Sequence, residues 1–127
     1  MQYLTAQELL ILHARVVDEA GGSHGVRDVG LLQAIILKPQ AQFGGADLYP
    51  NVFRKAAVLL EAIANYHVFI DGNKRTALIA SARFLYLNGY ELKATNKAVE
   101  KAVLAVATKE MNTRGLESWL KKHSAKY

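Results

Sequence analysis

His67, Asp71, Asn73, Lys74 and Arg75 fall within nine residues of a 127-residue chain, in the stretch NYHVFIDGNKRTALI that spans residues 65–79. These residue types are the parts of phosphoryl or nucleotidyl transfer. An imidazole can take a proton from an attacking hydroxyl. A carboxylate just ahead of a helix suits magnesium, a hard cation that often takes one carboxylate plus phosphate oxygens. Gly72 permits a close backbone approach or a positive φ, and Asn73 can cap the helix or donate its amide to an oxygen. Lys74 and Arg75 stand where a helix should begin. Unpaired backbone N–H groups already place partial positive charge there, so two further cations are unfavourable while the site is empty. With a phosphate in place, the dipole, the amides, an ammonium and a guanidinium fork all act in the same direction.

Each part has a plain structural meaning as well. A histidine among apolar neighbours can be a satisfied core residue, and Asp71-Gly72-Asn73 can be ordinary turn chemistry. Phe69 reads as a core anchor under either view. Spacing alone leaves both readings open. The glycines at 21, 22 and 25 do not settle it, because GGSHG lacks the Gly-Lys-Ser/Thr of a P-loop.

The elements that must carry this stretch are helices. Thr5-Ala6-Gln7-Glu8 forms a capping box, followed at helical spacing by Leu9, Leu12, Val16 and Ala20 and ended by Gly21-Gly22. Asp28 caps a short second helix through Leu31, Leu32, Ile35 and Ile36, stopped before Pro39. Residues 40–50, with Gly44-Gly45 and Pro50, form an exposed loop or a small hairpin. Asn51 caps a third helix whose stripe of Val58, Leu59, Ala62 and Ile63 runs up to His67, and a fourth spans about Asn73 to Asn88, with Gly89 as its stop. Thr95 opens a fifth, Val99 to Met111, and a sixth covers Thr113 to His123. The expectation is an all-α bundle of about six helices, a single domain over residues 1–127, with a hairpin near residues 41–50 as its only sheet.

At 51% hydrophobic and 21% charged residues the composition is that of a globular protein able to bury one core. Cysteine is absent, which excludes a disulfide framework and a thiolate metal site and fits a cytoplasmic setting. The start MQYLTAQELL has no signal-peptide pattern, and no apolar run is long enough to span a membrane. The net charge of +5 is unevenly spread: residues 1–73 carry five Lys/Arg against seven Asp/Glu, residues 74–127 eleven against four. A basic second half suits an anionic partner. Lys93, Lys97, Lys101, Lys121 and Lys122 read more simply as solvated helix faces, having no aromatic residues interleaved for base stacking.

His67-x-Phe69-x-Asp71-Gly72-Asn73-Lys74-Arg75 resembles the Fic motif HxFx(D/E)GNGRxxR, and in particular its Doc branch, the "death on curing" toxins of toxin–antitoxin modules. Gly25-Val26-Arg27-Asp28-x-Gly30-Leu31-Leu32, Lys38-Pro39-Gln40 and Tyr49-Pro50 extend the resemblance over nearly the whole chain. It implies a Fic-type helical bundle with the site on the loop between two central helices. It makes His67 the catalytic base, Asp71 the magnesium ligand, and Gly72, Asn73, Lys74 and Arg75 the phosphate-binding positions, with Asn73 and Arg75 also counted in the catalytic set. ATP and Mg²⁺ are the implied cofactors, and residues 41–50 resemble the flap that positions a target segment.

Two positions depart from the broader Fic pattern. Lys74 replaces a glycine and Leu78 replaces the second arginine. Doc proteins share both features, and the resemblance implies transfer of the γ-phosphate of ATP to a Ser/Thr hydroxyl, with elongation factor Tu as target and translation blocked. The inhibitory (S/T)xxxE(G/N) helix of many Fic proteins has only a poor match in Thr113–Ser118 (TRGLES), which ends in Ser and spans an expected break at Gly115. A separate, Phd-like antitoxin with an acidic disordered segment is therefore the expected inhibitor. Two alternatives stay open: AMP transfer of the general Fic type, and a small basic nucleic-acid-binding module. Against the latter, a base and a carboxylate have no use in a phosphodiester cradle.

Overall fold

In the computed structural model, which describes all 127 residues, local capping chemistry opens most of the helices. The Thr5 hydroxyl accepts the Glu8 N–H at 3.1 Å while the Glu8 carboxylate accepts the Thr5 N–H, a reciprocal box at the start of α1 (Ala6–Ala20). Asp28 caps α2 (Val29–Leu37), Asn51 caps α3 (Val52–Tyr66), Thr95 caps α5 (Asn96–Ala107) and Asn112 caps α6 (Thr113–Lys122). Only α4 (Asn73–Leu87) starts without a side-chain cap. Pro39 does not simply follow α2; it sits in a 3-10 turn, Lys38–Gln40, that continues it.

The architecture is six helices with two small sheets. Strands β1 (Gln42–Phe43) and β2 (Ala46–Asp47) form the expected hairpin across Gly44-Gly45. A second antiparallel pair was not expected: β3 (Tyr90–Leu92) binds β4 (Ser124–Lys126), so the hairpin is not the only sheet. Two further boundaries differ from expectation. α5 stops at Ala107 and not at Met111, because Lys109 turns to φ 63° and the Glu110 and Met111 amides both return to the Ala105 carbonyl. Gly115 breaks nothing, since it lies in the first turn of α6 with its N–H bound to the Asn112 side chain at 2.8 Å.

α3 is the central element. Ten of its fifteen residues are buried, far more than one stripe, because α2, α4, α5 and α6 all pack around it. Most of its buried residues join Leu9, Leu32, Ile35, Phe69, Phe84, Leu85, Leu116 and Leu120 in one core cluster. Lys55 joins His13, Thr76 and Ser81 as a polar side chain in this largely apolar interior. Its ammonium donates to the Pro39 carbonyl at 2.9 Å and pairs with Asp47 at 3.1 Å, tying the hairpin to α3. No helix is long and apolar enough to cross a membrane.

Candidate functional site

α3 ends because His67 leaves the helix in the left-handed region, at φ 52° and ψ 45°, with its side chain exposed. Val68 and Phe69 then turn into the core and are fully buried. Gly72, at φ 76°, makes the second left-handed step and starts α4. The loop from His67 to Gly72 is thus anchored at its middle and bent at both ends. Asn73 fixes the bend. Its side chain accepts the Phe69 N–H and donates to the Phe69 carbonyl, both at 3.0 Å. It acts as a clamp on the loop and does not cap α4.

Two further segments hold this loop. The Arg27 amide donates to the Val68 carbonyl at 2.7 Å and the Ile70 amide to the Gly25 carbonyl at 3.1 Å, a short antiparallel bridge. Gly25 takes φ 133°, and a methyl group there would stand 2.8 Å from Ile70 Cδ1. From α1, the buried His13 lies flat against Phe69, with ring centroids 3.8 Å apart and planes 6° apart, and its Nε2 reaches the Asp71 carbonyl at 2.8 Å. The Ser23 amide donates to the Asp71 carboxylate at 2.9 Å.

The residues singled out in the sequence share one cleft. A hollow of about 430 Å³ is lined by Gly22, His67, Asp71, Gly72, Asn73, Lys74 and Arg75, among others. The first helical hydrogen bond of α4 runs from Thr76 to Gly72, so the N–H groups of Asn73, Lys74 and Arg75 have no protein acceptor. The Lys74 and Arg75 side chains are exposed and neither forms an ion pair. Three free amides and two free cations at a helix start make an anion cradle. No group of three or more His, Asp or Glu side chains converges, and Asp71 is the one carboxylate that lines this cleft. That donor set fits a magnesium ion which draws its remaining ligands from nucleotide phosphates and water, and it does not fit a cage built by protein alone.

Leu78 lies one turn further along α4, facing an apolar hollow with Val99 and Val103 of α5. On the other side of His67 and Lys74 a groove of about 650 Å³ runs past Glu61, Lys109, Asn112 and Thr113, and Glu61 Oε1 is buried there with no hydrogen-bond partner. A larger hollow at the opposite end of α3, among Asn51, Phe53, Asn88 and Lys121, holds none of the candidate residues. Of the TRGLES segment, Thr113 lines the groove beside His67, but its glutamate is remote. Glu117 pairs with Arg54 at 2.8 Å near the start of α3, 13 residues and about 20 Å of helix from His67. His13, Ser23 and Glu61 were not singled out in the sequence. Only the first has a local signal, a polar ring on the buried face of an amphipathic helix.

Fold and site together define a class: a small helical bundle that carries a histidine, a lone carboxylate and an open helix N-terminus on one interhelical loop. The model of the Fic/DOC family matches residues 3–85. The chain is 50% identical over 74 residues to Toxin Doc of Mycolicibacterium smegmatis, covering 58% of this chain and 57% of that protein. It is 32% identical over 122 residues to Protein kinase doc of Escherichia phage P1, covering 96% of this chain and 95% of that protein. The chain belongs to the Fic/Doc family, and within it sides with the Doc toxins.

Proposed function

We propose that this protein is a toxin that uses ATP and magnesium to phosphorylate a Ser/Thr hydroxyl of a target protein, elongation factor Tu, and so blocks translation. The observation that carries this reading is the start of α4, where three unpaired amides, Lys74 and Arg75 converge beside Asp71 and the exposed His67. The kinase named among its relatives supports the reaction type.

In this reading the His67 imidazole takes the proton of the target hydroxyl as its oxygen bonds to the γ-phosphorus. The bond from that phosphorus to the bridging oxygen breaks, and ADP leaves. The amides of residues 73–75, Lys74 and Arg75 hold the non-bridging oxygens. Magnesium held by Asp71 would supply charge neutralisation on the phosphates. Asn73 keeps the loop in shape through Phe69. Lys74 crowds the position at which most Fic enzymes carry glycine, and Leu78 removes a second guanidinium clamp, so the γ-phosphate and not the α-phosphate is set towards His67. Inhibition comes from a separate Phd-like antitoxin whose acidic segment folds onto this basic, cytoplasmic protein.

Labelled ATP tests the reaction. Incubation with elongation factor Tu and magnesium should incorporate label from the γ-phosphorus, add one phosphate to the target and release ADP. Label from the α-phosphorus should stay out, and Asp71→Asn should be inactive. Incorporation of α-label with release of pyrophosphate would make the protein an AMP transferase, and retardation of duplex DNA without any transfer would make it a nucleic-acid-binding module.

A further inference from the structure

His13 is 3% exposed in the middle of α1, yet its ring stack and its hydrogen bond both reach out to the loop that carries the site. It spans 58 residues to bond the main-chain carbonyl of Asp71 at 2.8 Å, and its ring covers the face of Phe69. Because a carbonyl only accepts, Nε2 must carry the proton. A leucine would fill this volume, and the stack alone would be served by any aromatic ring. The N–H is the feature that packing does not require.

Its target is the one carboxylate at the site. Asp71 is gripped at two points: its carbonyl by His13, and its Oδ2 by the Ser23 amide at 2.9 Å. Gly22 packs against the same side chain, with room for a Cβ only 3.3 Å from Asp71 Cβ. The other carboxylate oxygen, Oδ1, has no protein partner. Two grips on one residue fix its backbone and its rotamer together, and so fix where the free oxygen points. Residues that orient a metal ligand in this way typically change metal affinity 10–100-fold when removed.

We propose that His13 is a positioning residue, which through the Asp71 carbonyl aims the free carboxylate oxygen at the metal that accompanies the nucleotide. This rests on the reading of Asp71 given above, and it adds a residue on a different helix to the machinery of transfer. His13 touches neither nucleotide nor target.

The test uses the full chain and three substitutions. His13→Phe keeps the stack and loses the donor, His13→Gln keeps a donor at nearly the same reach, and His13→Asn shares that chemistry but falls short. Magnesium is titrated against each protein in the presence of a non-hydrolysable ATP analogue, with melting temperature as the readout, since a bound ligand raises it by mass action. Transfer rate is followed in parallel with ATP. His13→Phe should need about ten-fold more magnesium for the half-maximal shift, with the analogue's own shift in chelator unchanged. His13→Gln should return close to the wild-type requirement. Wild-type magnesium dependence in His13→Phe, or equal impairment in His13→Phe and His13→Gln, would overturn the proposal. If His13→Phe does not fold, the comparison is Gln against Asn, and equal magnesium requirements in those two overturn it. A wild-type protein without any magnesium-dependent shift would remove the metal role of Asp71, and that of His13 with it, an outcome distinct from a normal wild type beside indifferent variants.

Discussion

His67 sits in a backbone conformation that L-residues other than glycine avoid, since Cβ crowds the following carbonyl at a cost of roughly 1–2 kcal/mol. A glycine at the end of α3 would make the same turn without strain. The strain is held in place by Val68 and Phe69, buried immediately after, and by the Asn73 clamp. The exposed imidazole itself packs against little, so its removal should hardly change the core. His67→Gly is therefore expected to melt above His67→Ala by several degrees, on the order of 1 kcal/mol, while both lose transfer. Equal melting temperatures would show that the turn is unstrained. The position of His67 just ahead of a helix start was legible in its sequence neighbourhood. Its conformation was not, because that depends on where Phe69 is buried and what Asn73 reaches back to hold.

At the scale of elements, α4 begins against its own electrostatics. Lys74 and Arg75 sit in the first turn with no acidic partner, where each cation costs about 0.3–1 kcal/mol. Lys74→Gln should accordingly leave the ligand-free protein as stable or slightly more stable, and reduce the rise in melting temperature that ATP and magnesium produce. A clear loss of stability in the free protein would make Lys74 structural. The other helix starts were readable from sequence, since Thr5, Asp28, Asn51 and Thr95 each bond an amide three residues on. Such caps are local. The β3–β4 pairing was not readable, because Tyr90 and Lys126 are 36 residues apart and three-residue strands leave too little alternation to notice. The end of α5 failed for a similar reason: Met111 continues the apolar spacing, and only the left-handed Lys109 shows that the helix has ended.

Over the whole molecule, the expected lysine faces are solvated, with Lys93, Lys97, Lys101, Lys121 and Lys122 all exposed. The ion pair that joins two helices lies elsewhere, between Arg54 of α3 and Glu117 of α6. The hydrogen bond from Arg54 holds the Glu117 carboxyl below its ordinary value of 4.5, against a smaller opposing effect of burial. A depressed carboxyl stabilises the fold above its unfolded pKa, and that contribution is lost as pH falls through the folded pKa. Glu117→Gln should thus cost about 1 kcal/mol at neutral pH, and wild type and variant should converge in melting temperature below the folded pKa of Glu117, itself under 4.5. A gap that persists in acid would mean that packing, not charge, joins α3 to α6. Transfer activity at pH 7 should be unaffected, since this pair and His67 occupy opposite ends of α3.

The stitched loop has a genetic consequence. Cells that survive forced expression of a harmful protein carry the mutations that disarm it, and those need not lie among residues that meet ATP. Gly25 and Gly72 hold positive φ at the two seams of the loop, so any other side chain there strains the backbone and displaces His67 and Asp71 together. Survivors should be enriched at these glycines and at Asn73 as strongly as at His67. Many of them should still accumulate as folded protein, because Gly25, Gly72 and Asn73 themselves lie outside the core cluster.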